Sequence, residues 1–235
     1  VQKIAIPAQP VIAQLPQRLD ALVARRVKFL TEYQNAAYAK RYADFVESVR
    51  QAEEKLGAGD ALSRAVAKYL FKLMAYKDEY EVARLYTDGN FRKQLESTFE
   101  GDYEVSFNLA PPLFSKRDTK GHLVKSRFGA WMRRAFGLLA KFRFLRGTAL
   151  DIFGKTEERR MERKLIDDYR TSVEKALKQL SKENLPLVLE LANLPEHIRG
   201  YGHVKEEHLQ KARARWEELD KAIAGGMSSQ ARRVA

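Results

Sequence analysis

Three groups of residues in this chain are of types and spacing that could do chemistry. The first is Lys77, Asp78, Glu81 and Arg84. Lys77, Glu81 and Arg84 fall at i, i+4 and i+7, on one helical face with Leu73 and Tyr80. Exposed pairs at this spacing contribute only about 0.2–0.5 kcal/mol each. A face that also carries an apolar stripe demands pairing, because an unpaired buried charge costs several kcal/mol. The four residues form a candidate ion network. It either faces an active site on another domain, ties helices together, or is a solvated helix face. The second group is Arg199, His203 and Lys205, set in Arg199-Gly200-Tyr201-Gly202-His203-Val204-Lys205. Two glycines before a helix start can turn backbone N–H groups toward an anion. The same glycines also suit a tight interhelical turn.

The third group is a basic block. From Lys116 to Arg146 there are ten basic residues and one acid, Asp118, so this stretch supplies +9 of the chain's net +12. Phe128, Trp131, Phe136, Phe142 and Phe144 interleave it. Arg133, Arg134, Lys141 and Arg143 are the candidate docking cations. Nucleic acid, an acidic protein or a phosphate-bearing ligand could use such a field. A scaffold helix with Phe128, Trp131, Ala135, Leu138, Leu139 and Phe142 in the core and its cations in water is the structural alternative. Nucleic acid is the less favoured partner, because no recognised binding motif accompanies the charge.

Other chemistry is excluded or unsupported. The chain has no cysteine, which removes disulfides, thiolate nucleophiles and cysteine-ligated iron–sulfur clusters. His197, His203 and His208 lack the i, i+4 spacing of a helical zinc site, and there is no HExxH, GxSxG or P-loop string. No residue of this chain is assigned as catalytic, cofactor-binding or metal-ligating. No apolar run approaches the ~18 residues of a membrane span.

The elements that must position these groups read as mainly α, with six to eight helices and a small inserted β-hairpin. Apolar positions recur at helical spacing from Leu19 through Tyr33 to Val49, which predicts one long helix ending before Gly57. Asp60 is a candidate cap for a second, striped by Leu62, Val66, Tyr69, Leu73, Tyr80 and Ala83 and ending near Thr87. At Tyr103, Val105, Phe107 and Leu109 the period becomes two, which predicts a strand, with Leu123-Val124 as its candidate partner. Helices resume over Arg127 to Phe144, from Thr156 as cap along the Met161–Leu180 stripe, over 184–194, and over 204–223. Residues 1–16, punctuated by Pro7, Pro10 and Pro16, read as a linker from a preceding domain. Residues 17–224 read as the helical module and 225–235 as a flexible tail. The missing initiating Met suggests a piece of a longer chain.

Six spaced strings resemble one family. They are Tyr33-Gln34-Asn35-Ala36-Ala37-Tyr38, Tyr76 to Tyr86, Asn108 to Leu113, Leu145 to Asp151, Glu157 to Glu162, and Leu194 to Lys205. Over roughly residues 17 to 220 they are similar to the helical C-terminal module of the fused indolepyruvate ferredoxin oxidoreductases, the 2-oxoacid:acceptor oxidoreductases. The resemblance implies a cytoplasmic parent enzyme that oxidatively decarboxylates an arylpyruvate to the arylacetyl-CoA and reduces ferredoxin. Thiamine diphosphate, Mg2+ and any iron–sulfur clusters would sit on other domains or subunits. This chain would support domain assembly or cover the active site, with those domains and ferredoxin as partners. A standalone basic adaptor for nucleic acid or an acidic protein is the alternative.

Overall fold

The computed structural model describes residues 18–101, 104–109, 126–200 and 202–226. The chain is mainly helical with one small antiparallel hairpin. Among the described residues nine α-helices run in the order α1 (Leu19–Tyr33), α2 (Ala36–Leu56), α3 (Ala61–Met74), α4 (Glu79–Thr87), α5 (Asn90–Thr98), α6 (Met132–Lys141), α7 (Glu157–Leu177), α8 (Leu185–Asn193) and α9 (Gly202–Ala224). Strands β1 (Phe107–Leu109) and β2 (Ser126–Phe128) lie between α5 and α6. Short 3-10 turns follow α6 and α8, at Phe142–Leu145 and Leu194–His197.

Local chemistry sets the boundaries, and it divides two helices that the apolar pattern alone reads as continuous. The first breaks at residues 34–35, where the Asn35 side chain accepts the Tyr38 N–H at 2.8 Å and starts α2 afresh. It stops at Gly57, whose φ of +66° is the left-handed conformation that glycine adopts freely. The second breaks at residues 75–78, and Asp78 caps α4 by accepting the Glu81 N–H at 2.9 Å. Both breaks fall between buried tyrosines, so the apolar stripe crosses them without a sign. Asp60 does not cap α3 with its side chain; its carboxylate takes Arg64 instead. The cap comes from α2. Buried Glu53 accepts the Leu62 and Ser63 N–H groups at 2.7 and 2.8 Å and the Ser63 hydroxyl at 2.6 Å. Thr156 caps α7 as its sequence suggests, accepting from Arg159 N at 3.3 Å.

The hairpin pairs Phe107 with Phe128, Asn108 with Arg127 and Leu109 with Ser126. Its second strand, residues 126–128, therefore includes Arg127 and Phe128, which helical spacing assigns to the following helix, and α6 starts only at Met132. Tyr103, Leu123-Val124, the linker 1–16 and the tail from 227 lie outside the described residues. The apolar interior has two parts. A large core is shared by α1, α2, α3, α7, α8 and α9, with Leu30, Tyr42, Leu70, Tyr169, Leu191 and Leu219 fully buried. A small one is built on Ala83, Phe107, Phe136 and Ala140, from α4, the hairpin and α6. Among the described residues no helix is long and apolar enough to cross a membrane.

Candidate functional site

The candidate site is a polar junction between the two cores. Its centre is Arg146, the residue that ends the turn after α6 and is only 3% exposed. Its guanidinium grips Asp78, also 3% exposed, through Nε at 2.5 Å and Nη2 at 2.8 Å, a two-pronged geometry that only arginine offers. Nη1 donates to the Tyr33 carbonyl at the end of α1, and the guanidinium carbon lies 3.5 Å from the centre of the Tyr33 ring. Burial by itself would lower the Arg146 pKa. The hydrogen bond to Asp78 and the electrostatic pull of Tyr33, Asp78 and Tyr76 outweigh that effect and leave the pKa raised, so the cation persists at every accessible pH.

The neighbouring side chains close the junction. Tyr33 donates its hydroxyl to the Tyr76 carbonyl at 2.8 Å, and Tyr38 donates to the Met74 carbonyl at 2.9 Å. Gln34 donates to the Arg146 carbonyl at 3.2 Å. Buried Asp151 accepts the Gly147 and Gly154 N–H groups, each at 2.8 Å, and faces the Tyr80 hydroxyl at 3.3 Å. Burial raises the Tyr76 hydroxyl to about 12, so the phenols are neutral donors rather than bases at ordinary pH. A cavity of about 270 Å3 opens beside this junction, lined by Gln34, Tyr38, Tyr76, Gly147, Thr148 and Arg163 among others.

Two further ion clusters flank it. Glu81 and Arg84 pair through two bonds of 2.8 Å, with Glu32 and Asp88 at 3.7 and 3.8 Å, and Arg84 lies over the Phe29 ring. On the other side Arg159 bonds Glu162 at 2.7 Å and Glu79 at 3.5 Å, while Lys205 reaches Glu162 at 2.5 Å. Burial lifts the Glu79 carboxyl above its usual range, against the pull of Arg159.

Of the four predicted network residues, Asp78, Glu81 and Arg84 are drawn into ion pairs, and Lys77 forms none among the described residues. Lys77 precedes α4 and is exposed, because the helix starts at Glu79 and the i, i+4 register from Lys77 never forms. The predicted docking cations also divide. Arg133, Arg134 and Lys141 are exposed on α6, and none forms an ion pair among the described residues. Arg143 is half-buried and donates to the Ala140 carbonyl. Arg199 bonds Glu196, and Lys205 is neutralised by Glu162, so these two do not present a joint anion site. Gly200, at φ +89°, makes the turn between them. The His203 side chain lies outside the described residues.

Sequence reasoning passed over Glu53, Asp151, Arg159 and Glu162 as site members and counted Arg146 among the surface cations. Signals existed for two of them. Glu53 continues the Val46-Val49 stripe by four residues, and Asp151 is the single acid between Lys120 and Thr156. Among the described residues no group of three or more His, Asp or Glu side chains is placed to hold a metal ion. The arrangement binds helices through charge. A family model described as a family of unknown function matches residues 19–218. No curated protein and no solved structure matches the chain.

Proposed function

The chain belongs to that family of unknown function, DUF6537, and on the resemblance carried by its six strings we propose that it is the non-catalytic helical C-terminal module of an indolepyruvate (arylpyruvate) ferredoxin oxidoreductase. The observation that supports this reading is where the six resembling strings lie. Five of them meet at the polar junction and its flanking clusters: Tyr33 and Gln34, Asp78 and Glu79, Arg146 and Asp151, Arg159 and Glu162, and Lys205. Residues that fix the relative placement of α1, the α3–α4 turn, the 146–154 segment, α7 and α9 suit a module whose contribution is its shape.

On this reading the chemistry lies elsewhere in a cytoplasmic enzyme. Thiamine diphosphate, Mg2+ and any iron–sulfur clusters belong to other domains or subunits, and this chain has no thiolate to ligate a cluster. The module supports domain assembly or covers the site at which a 2-oxoacid loses CO2. The test is oxoacid-dependent acceptor reduction by the parent enzyme lacking this module, with the purified module titrated back. Restored turnover with a stable complex supports the proposal. Full activity without the module and no complex on add-back refutes it. The three exposed cations on α6, which form no ion pair among the described residues, favour, as a second reading, an adaptor that recognises nucleic acid or an acidic protein.

A further inference from the structure

Helix α6 carries two apolar faces, and among the described residues only one is covered. Phe136 and Ala140 are buried, with Met132 and Leu139 packed beside them against the small core. Trp131, Ala135, Leu138 and Phe142 recur at i, i+4, i+7 and i+11 and all face out. Trp131 is 61% and Leu138 60% exposed, whereas a second stripe of this composition belongs in a core. Six of the eight large exposed hydrophobic residues among those described fall within residues 131–152: Trp131, Leu138, Phe142, Phe144, Leu150 and Ile152. The Phe142 and Phe144 rings touch, with centroids 6.3 Å apart. Trp131 also lines a groove of about 830 Å3 with Phe91, Leu95, Phe107 and Arg134.

The exposed charge on α6 and the turn that follows it is of one sign, while Glu96 and Glu104 line the groove at its Trp131 end. Arg127, Arg133, Arg134, Lys141 and Lys155 are exposed, and the one acid between residues 126 and 155, Asp151, is buried. On the α6 wheel Arg134 and Lys141 run along the edge of the stripe opposite the covered face. A second copy of this chain would bring the same cations together, which opposes self-association. Nucleic acid would use the cations and the aromatic rings, but Leu138, Leu150 and Ile152 give it nothing to stack on. Aromatic and aliphatic anchors rimmed by arginine are the composition of a protein interface.

We propose that the outer face of α6 and the turn that follows it is a docking surface for an acidic protein segment that presents apolar side chains between its carboxylates. The inference stands whether or not the parent enzyme is the oxidoreductase proposed above. Its test uses this 235-residue chain and three labelled probes: a synthetic amphipathic peptide with leucine and phenylalanine on one helical face and glutamate on the other, its scrambled isomer, and a single-stranded oligonucleotide. Fluorescence anisotropy reads affinity, and the emission of exposed Trp131 against buried Trp216 reads engagement. The expected result is binding of the amphipathic peptide with a blue shift, weaker binding of the scrambled isomer, and steep loss with salt. Leu138→Ser with Phe142→Ser, and separately Arg134→Glu with Lys141→Glu, each weaken it by about tenfold or more. These positions are exposed, and an unchanged thermal melt confirms that each variant folds. The proposal is overturned if the oligonucleotide binds best, if both peptides bind alike or not at all, or if the stripe instead forms a dimer that Leu138→Ser dissociates.

Discussion

Replacing Arg146 by Met tests whether the polar junction holds the fold together. The substitution leaves Asp78 charged, 3% exposed and without its cation. At a charge separation of roughly 4 Å and an effective dielectric of about 20, the lost attraction is ~4 kcal/mol. Breaking buried pairs from one side costs about 3–5 kcal/mol, which agrees. Arg146→Met should therefore lower the unfolding free energy by about 3–5 kcal/mol, read by urea titration of far-ultraviolet circular dichroism. Arg146→Lys keeps the charge and loses the two-pronged grip, and falls between the two. Asp78→Asn retains an oxygen to cap α4 at Glu81, so the double variant Asp78→Asn with Arg146→Met removes the stranded charge and recovers part of the loss. The reasoning is refuted if Arg146→Met costs less than ~1 kcal/mol. Additivity of the two single effects within about 0.5 kcal/mol would refute it equally.

Three other outcomes follow from the same geometry. Glu53→Ala strips three donors at the start of α3 and should cost about 3 kcal/mol, with faster hydrogen exchange at Leu62 and Ser63. In Gly154→Ala the new methyl group would lie 2.2 Å from Asp151 Oδ2, so the unfolding free energy should fall by about 1–3 kcal/mol, read as a lower denaturation midpoint, although Gly154 does not need a left-handed φ. Glu196 is held below its ordinary value of 4.5, first by the Tyr69 hydroxyl at 2.6 Å and then by Lys68. Its folded pKa is depressed, so its contribution is present above that ordinary value and lost as pH falls through the folded one. Glu196→Gln should flatten the acid limb of a stability-versus-pH curve in that window.

The parts of the fold that were legible in the sequence are those where one local signal suffices. Alternation at Phe107–Leu109 marks a strand, Thr156 marks a helix start, and the Met161–Leu180 stripe marks α7. The breaks at Asn35 and Asp78 were less legible because each cap lies inside an unbroken run of apolar spacing. For the junction, Asp78 and Glu81 could be chosen from their own helix, but their partners could not. Nothing within residues 116–146 distinguishes Arg146 from nine other cations; only the approach of Tyr33 and Asp78, distant in sequence, does. The outer stripe of α6 shows the opposite difficulty. Its spacing is correct for a core, and periodicity cannot say which of two apolar faces a neighbour will cover.

The unequal size of the two apolar interiors has a consequence for how the molecule opens. The part built on Ala83, Phe107, Phe136 and Ala140 has four buried hydrophobic members among the described residues, and its ties to α1 include the Arg84–Glu32 ion pair, Arg84 over the Phe29 ring and Arg146 on the Tyr33 carbonyl. Such a unit detaches at a lower free energy than the whole, so α4, α5, the hairpin and α6 form the natural first foldon to melt. That foldon also carries the outer face of α6. A ligand seated there binds only the closed form and lends this unit RT ln(1 + [L]/Kd) of added stability. Occupancy would then show as a rise in the lower of two melting transitions, with the upper one unmoved.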